Sequence, residues 1–228
     1  MTSLSSTTDI HRRPAGKGAG IVLIVCAALT LVLLANHPSG AARTFADIVR
    51  EEAANAGRDA LVHGGFIGVL ASELACLAIM TIRLGLDRPL AVAGLVLTAV
   101  GAGFLCGSML LDGLVTPAVA ARYAGVIDVA ERQSDAKALF VLLGAAVSFM
   151  MPAGLVLQAA GLACWSAVLA PGPGLLRATG GFGTLTAIAV ISGVVATDAK
   201  VPHVLMAAII LLAVAYALLG VGLMRRRL

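Results

Sequence analysis

Glu73 is the residue with the clearest chemical potential, because it is a carboxyl group near the middle of the apolar run 61–82. About 20 apolar residues are enough to cross the hydrocarbon core of a bilayer, which is roughly 30 Å thick. A carboxyl group at that depth must be paired, protonated or in contact with water, and such groups mark ion and solute pathways. Glu73 is therefore the first candidate for a functional residue.

Three other polar side chains lie at the same predicted depth. Counted from the inner end of its run, each is about 9 or 10 residues inside the membrane, which corresponds to about 15 Å of helix. The layer consists of Glu73, Thr98, Gln158 and Thr186. One interpretation is a relay for protons, ions or a small solute. The other is that the Gln and Thr side chains only hold the helices together through hydrogen bonds.

A second polar layer is predicted at the outer ends of the apolar runs. It consists of His37, His63, Asp112 and His203, one at the end of each of four runs. Imidazole and carboxylate groups together suit transition metals, so these residues are candidate ligands for a metal ion or for a haem. The alternative is that they are ordinary capping or loop residues, since their spacing in the sequence is not that of a known metal motif.

The composition is that of a membrane protein with several spans. Of the 228 residues, 60% are hydrophobic and 12% charged, and the mean hydropathy is +1.00. One soluble domain of this length cannot bury so much apolar surface. The net charge of +4 comes from basic residues at the ends of apolar runs, without a basic stripe interleaved with aromatic residues. Nucleic acid is therefore not expected as a partner.

Motifs of soluble enzymes do not occur in the sequence. It contains no G-x-S-x-G, Walker or H-E-x-x-H pattern. Its four cysteines have no C-x-x-C spacing and all fall in apolar runs, which is typical of small buried residues. The sequence favours a protein that is not an enzyme.

Six apolar runs predict an all-α, polytopic membrane helix bundle with six transmembrane helices, occupying residues 18–228. The approximate spans are 18–36, 61–82, 89–111, 146–168, 175–197 and 201–223. Residues 1–17 are rich in Ser and Thr and predict a disordered cytoplasmic tail. Residues 41–60 predict an amphipathic helix lying on the outer membrane surface. Residues 112–145 extend the apolar runs beyond the bilayer and predict an outer helical hairpin.

Basic residues cluster at both ends of the chain, with Arg12, Arg13 and Lys17 before the first span and three arginines after the last. Nine basic residues fall on the predicted inner side and seven on the outer side. Basic residues near spans favour the cytoplasmic side. The N and C termini are therefore predicted to be cytoplasmic, in a bacterial-type inner membrane.

Residues that affect helix packing recur along the spans. Small residues four apart, in Gly64-x-x-x-Gly68, Gly103-x-x-x-Gly107 and Ala189-x-x-x-Gly193, allow helices to approach closely. They predict a compact bundle, and faces suited to a second copy or to a partner in a membrane complex. Trp165, the single tryptophan, is predicted near the inner membrane surface, because Trp prefers interfaces.

Three classes of function remain open at this point. The first is movement of protons, ions or a small solute through the polar layer around Glu73. The second is an integral metal or haem protein that uses the outer histidines. The third is a non-catalytic scaffold or assembly subunit that uses the small-residue faces. The partners expected from the sequence are the lipid bilayer and, through the small-residue faces, a second copy or a subunit of a membrane complex. The cofactor is unknown, with a transition metal or haem as the candidates.

Overall fold

A computed structural model of the chain describes residues 9–37, 43–196 and 202–225, with side chains from residue 16 and, in the last helix, from residue 203. These residues form helices α1 (Asp9–Ala35), α2 (Phe45–Leu84), α3 (Pro89–Leu110), α4 (Thr116–Tyr123), α5 (Ala130–Leu169), α6 (Leu175–Ala196) and α7 (Pro202–Met224). A π-helical turn, Leu111–Val115, joins α3 to α4 and is called the π-turn below. The described ranges contain no strand.

Six helical segments are long and apolar enough to cross a membrane. Four of them are α1, α2, α5 and α6, the fifth is α7, and the sixth is the continuous run of α3, the π-turn and α4. The prediction of an all-α bundle with six apolar helices is thus confirmed for the described residues, and the chain has the form of a multi-pass membrane protein. The cytoplasmic placement of the termini stays a prediction.

The two ends of the bundle differ in length. The start of α1 and the end of α7 meet at one end, where a Cβ on Gly20 would collide with the carbonyl of Gly220. We call this the terminal end. At the opposite end, which we call the extended end, three long segments project beyond α1, α6 and α7. They are α2 and α5, each of 40 residues and about 60 Å, and the 35-residue run of α3, the π-turn and α4.

Two predicted segments have a different form in the structure. Residues 45–60 are not a separate helix on the membrane surface but the first part of α2, which is unbroken to Leu84. Helix α1 begins at Asp9, so half of the predicted disordered tail 1–17 is helical, and residues 1–8 lie outside the described residues. Once a helix exists, each added residue gains a hydrogen bond at little cost, and no proline interrupts α2.

The apolar face of residues 45–60 packs against protein. Val49 is fully buried against Ala120 of α4 and Ala136 of α5, and the rings of Phe45 and Phe140 meet edge to face at 5.4 Å between centroids. These partners belong to the predicted outer hairpin 112–145, which the structure shows as most of the π-turn, α4 and the start of α5. The extended end therefore has a small hydrophobic core of its own.

Helices α3 and α5 cross closely at two pairs of glycines. A Cβ on Gly94 would lie 3.0 Å from the carbonyl oxygen of Gly161, and a Cβ on Gly101 would lie 2.9 Å from that of Gly154. In each helix the two glycines are seven residues apart, or about two turns. Side chains at these positions would separate the two backbones.

The small-residue motifs singled out from the sequence lie elsewhere. Gly64, Gly68 and Gly103 have open space beside them, so they do not bring helices of this chain together. Gly107 lies against the end of the Met150 side chain, and Gly193 against Val204. The use of these faces by a second copy or another partner stays a prediction.

Trp165 lies near the terminal end and is fully buried inside the protein. Its depth near the inner membrane surface stays a prediction. Its indole N–H lies 3.1 Å from Thr81 Oγ1 and 3.0 Å from the carbonyl oxygen of Ala91, and it donates to both. A buried indole needs such an acceptor. Trp165 therefore links α5 to the end of α2 and the start of α3.

Candidate functional site

A cavity of about 380 Å³ opens inside the bundle, between the extended end and the middle of the spans. Helices α1, α2, α3, α5 and α7 line it together with the π-turn, and α6 does not. Its walls are mostly Leu, Ile, Val, Met and Phe side chains, and polar groups are concentrated in two places. We call the polar group that contains Glu73 the floor, and the group that contains His63 the mouth.

One face of α2 connects the two polar groups. His63, Phe66, Leu70 and Glu73 follow one another at intervals of three or four residues, and all line the cavity. That spacing places them on one side of an α-helix. Glu73 follows His63 by ten residues, so the mouth and the floor are about 15 Å apart along the helix axis.

The floor contains a buried carboxyl group without a partner. Glu73 is 6% exposed and faces the cavity, and among the described residues none donates a hydrogen bond to its carboxyl or forms an ion pair with it. Isolated carboxylates in apolar surroundings lose several kcal/mol of hydration free energy. The group must therefore hold a proton or receive a partner from outside the described residues.

Gln158 and Tyr216 complete the floor. The hydroxyl group of Tyr216 donates a short hydrogen bond to Gln158 Oε1, and Gln158 Nε2 donates to the carbonyl oxygen of Thr98 at 3.4 Å. Both side chains of this pair are buried. Gln158 makes no hydrogen bond to Glu73, because its amide group is directed at Thr98 and Tyr216 instead.

The four residues of the predicted polar layer are only partly brought together. Glu73 and Gln158 line the cavity, and Thr98 lies behind Gln158, where its hydroxyl group is packed against Gly161 of α5. Thr186 is buried on α6, which does not line the cavity. The depth of a residue in a span follows from counting, but the direction in which it points depends on how the helices pack.

Sequence reasoning missed Tyr216. It lies about eight residues before the end of the last apolar run, so the same depth count that selected the other four residues would have selected it. It is one of two tyrosines in the chain and lies in the middle of a span. A phenol at that position needs a hydrogen-bond acceptor, so its presence in a span indicates a polar partner nearby.

The mouth consists of His37 at the end of α1, His63 of α2 and Asp112 of the π-turn. One ligand atom from each of the three residues lies within 4.8 Å of the others. His63 Nε2 is 3.2 Å from Asp112 Oδ2, and the two imidazole rings meet edge to face with centroids 5.1 Å apart. Three of the four predicted outer ligands are therefore neighbours.

His203 is separate from this group. It is exposed near the start of α7, and it is not among the described residues whose ligand atoms cluster with those of His63. The predicted four-residue set of outer ligands is therefore reduced to three, because the first turn of α7 does not bring its imidazole to the mouth.

The ring of His63 has a fixed orientation. Its Nδ1 atom lies 2.9 Å from the carbonyl oxygen of Asp59, one turn earlier in α2. A carbonyl oxygen only accepts hydrogen bonds, so Nδ1 carries a proton and donates it there. The other nitrogen, Nε2, is thereby directed at Asp112. His63 is 2% exposed, so its surroundings hold it in this position.

Pro117 explains why the helix is locally widened at Asp112. In an α-helix, proline cannot donate to the carbonyl four residues earlier, and its ring collides with that carbonyl. The chain here adds one residue to the turn instead, and both the backbone N–H and the hydroxyl group of Thr116 donate to the carbonyl of Leu111. Such π-turns are frequent at functional sites.

Gly113 allows the π-turn to touch α2. A Cβ at this position would collide with Cβ and Cγ of His63. The absence of a side chain therefore lets the backbone of the π-turn lie directly against the imidazole. This close approach holds Asp112 and His63 together from two different spans.

The surroundings of the mouth are acidic. Glu52 lies two turns before Asp59 on α2, outside the apolar segment 61–82. Burial, together with the carboxyl groups of Asp59 and Asp112, raises the pKa of Glu52 to about 7. Carboxyl groups that raise one another's pKa favour the approach of a cation. The mouth is thus suited to positively charged ligands.

Comparison of the chain with protein-family models, with curated protein sequences and with solved structures found no match.

Proposed function

We propose that this chain is a multi-pass membrane carrier that binds a small, mostly apolar solute with one cationic group, and that Glu73 is the partner of that group. The observation that supports this most directly is the unpartnered carboxyl group on the cavity floor. The proposal keeps the first of the three functional classes inferred from the sequence and replaces the four-residue relay by a single carboxyl group inside a cavity.

The size and lining of the cavity support a small solute. Cavities that bind small molecules have volumes of about 300–1,000 Å³, with mostly apolar walls and a few polar groups that set orientation. The cavity here has about 380 Å³ and matches that description. Its walls would contact the hydrocarbon part of the solute, and the floor would hold its charged group.

A single carboxyl group can couple movement of the solute to movement of protons. Glu73 can hold either a proton or a cationic group, because each neutralises the same negative charge. Binding of the cation therefore releases the proton, and return of the proton releases the cation. A protein that exposes Glu73 alternately to its two sides would exchange protons for solute.

The proposal also includes the orientation of the bundle in the membrane. We infer from the basic clusters that the terminal end is cytoplasmic and that the membrane is a bacterial-type inner membrane. The mouth would then open outward. Reporter fusions after Arg88 and Gly174 are expected to report the cytoplasm, and a fusion at Asp128 the outside. A cytoplasmic signal at Asp128 would refute this orientation.

The binding test compares two probes that differ in charge. Hexyltrimethylammonium and hexanol share a six-carbon chain, but only the first is a cation. We expect the purified protein to bind the cation at least about tenfold more tightly, because the charged group pairs with Glu73. Isothermal titration calorimetry in one detergent measures both affinities.

Two carboxyl variants decide the binding test. Glu73→Gln should lose the preference for the cation, whereas Glu131→Gln, the same change at an exposed position, should keep it. An unchanged preference in Glu73→Gln would contradict the proposal.

The exchange test uses proteoliposomes loaded with a pH-sensitive dye. The quaternary ammonium ion carries no proton, so its entry should raise the internal pH only if the protein exports protons in return. This response should be present in wild type and in Glu131→Gln and absent in Glu73→Gln. A response of equal size in Glu73→Gln would refute the coupling.

A further inference from the structure

The mouth has the donor atoms of a metal site, independent of what the floor binds. Two imidazoles and one carboxylate come from three separate elements and converge at the top of the cavity. This set of donors suits Zn²⁺ and neighbouring first-row metals, whereas Mg²⁺ and Ca²⁺ prefer oxygen alone. We propose that His37, His63 and Asp112 form a binding site for a divalent transition-metal cation.

The distances are close to those that a metal requires. With bonds of about 2.0–2.1 Å, two ligand atoms on a tetrahedral Zn²⁺ are about 3.3 Å apart. His63 Nε2 and Asp112 Oδ2 already have this separation, at 3.2 Å. The third ligand atom, from His37, lies within 4.8 Å of both, so it has to move inward by at most about 1.5 Å. Rotation of an exposed side chain at the end of α1 can supply that movement.

His63 is already oriented for this role. Imidazoles that bind metals usually donate their other N–H to a carboxylate or a backbone carbonyl, which fixes the ring and leaves the opposite nitrogen for the metal. Here Nδ1 donates to the carbonyl of Asp59, so Nε2 is the ligand atom. The burial of His63 and its contact with Gly113 add further constraint.

Three protein ligands leave one position of a tetrahedral metal open. This arrangement is typical of metal sites that bind an exchangeable molecule, in contrast to closed structural sites with four protein ligands. Since the three residues line the cavity, the open position is accessible from its interior. A bound metal would also join α1, α2 and the π-turn at the mouth. Nearby Glu52 and Asp59 make the region acidic, which favours a dication.

The direct test measures metal on protein purified without a histidine tag. We expect one equivalent of Zn²⁺ by elemental analysis, and saturable binding of Zn²⁺ by calorimetry after treatment with a chelator. His37→Ala and Asp112→Asn should each weaken binding at least about tenfold, since each removes a ligand. His203→Ala is the matched control, because it removes an exposed histidine that does not belong to the cluster.

Thermal unfolding with and without Zn²⁺ distinguishes loss of the metal site from misfolding of a variant. Zn²⁺ should raise the thermal unfolding temperature of the wild type and of His203→Ala, because a ligand that binds only the folded state stabilises it. The rise should be absent in His37→Ala, whose side chain is exposed and whose unfolding can be followed without metal. Equal Zn²⁺ affinity in wild type, His37→Ala and Asp112→Asn would overturn the proposal. So would loss of binding in His203→Ala alone.

This design also separates the metal site from the proposed carrier function. Glu73→Gln should retain full Zn²⁺ binding, because Glu73 is about 15 Å from the mouth. Failure of the metal test therefore leaves the cation preference of the floor standing, and failure of the floor test leaves the metal site standing.

Discussion

The mouth and the floor of the cavity are both polar groups in apolar surroundings, but they satisfy their polar atoms differently. At the mouth, both nitrogens of His63 have partners within the chain, at 2.9 and 3.2 Å. At the floor, Glu73 faces the cavity and finds no partner among the described residues. The comparison indicates that the mouth is assembled by folding, whereas the floor is completed only when something binds.

The difference should appear in the free energy of unfolding. Polar groups that are hydrogen-bonded inside the protein contribute to stability, and their removal leaves partners unsatisfied. A buried polar group without a partner lowers stability, and its replacement by an apolar side chain removes that cost. Substitutions at the mouth and at the floor are therefore expected to have opposite signs.

The largest effect is expected from Gly113→Ala, which puts a methyl group where the imidazole of His63 lies. Because the collision involves atoms near the backbone of both elements, the π-turn must move away from α2, at about 2–3 kcal/mol of stability. Thermal or denaturant unfolding in detergent measures the loss. Gly103→Ala is the control, since Gly103 has open space beside it, and it should be neutral or slightly stabilising. Equal stability of both variants would show that the mouth does not depend on this contact.

His63→Ala should cost slightly less, about 2 kcal/mol. It removes a buried ring and two hydrogen bonds and leaves space beside Gly113. The same unfolding measurement applies, with His203→Ala as a control of equal chemistry at an exposed position. If His63→Ala were as stable as the wild type, the mouth would not be assembled by folding.

Glu73→Leu should act in the opposite direction, raising stability by about 1 kcal/mol because a buried carboxyl group without a partner is replaced by an apolar side chain. Glu73→Gln keeps a polar group at the floor and should not give this gain. Unfolding is measured without added solute. A loss of more than about 1 kcal/mol in Glu73→Leu would show that the carboxyl group has a stabilising partner, and the contrast between mouth and floor would fail.

The smallest measurable effect is expected from Arg50→Ala, at the extended end. Arg50 forms two contacts with the Asp128 carboxylate, at 2.6 and 2.7 Å, and the two side chains are 45% and 81% exposed. Exposed ion pairs contribute about 0.2–1 kcal/mol and are weakened by salt. The loss in Arg50→Ala should therefore shrink in 1 M salt. Arg132→Ala, which breaks a single 3.7 Å contact with Asp135, should have no measurable effect.

Much of the fold was accessible from the sequence because a bilayer imposes a simple length rule. Six apolar runs predicted the six long helices, and the excess apolar length in residues 112–145 predicted that two of them are longer than a bilayer requires. The position of residues 45–60 was not accessible in this way. An amphipathic helix has the same sequence pattern whether its apolar face meets lipid headgroups or protein, and here Val49 meets α4 and α5.

The site was accessible in part for a related reason. His63 and Glu73 lie on one helix, so their shared face follows from the helical period. The sequence placed Asp112 and His63 in one outer layer, but their direct contact was not accessible, because it depends on a π-turn that departs from that period. The same limitation applies to Thr186. Its depth in the span follows from counting residues, but the direction of its side chain is set by the packing of α6. The mouth and floor therefore required the three-dimensional arrangement of several helices.

The π-turn also fixes the number of residues between two packed helix faces, one on α3 and one on α4. One extra residue rotates everything that follows by about 100° about the helix axis. Before it, α3 directs Gly94 and Gly101 at α5; after it, α4 directs Ala120 into the core of the extended end. Deletion of one residue from the π-turn would restore regular helical phase, but only one of the two faces could then meet its partner. Insertions and deletions in the π-turn are thus disruptive even where every side chain is conserved in type.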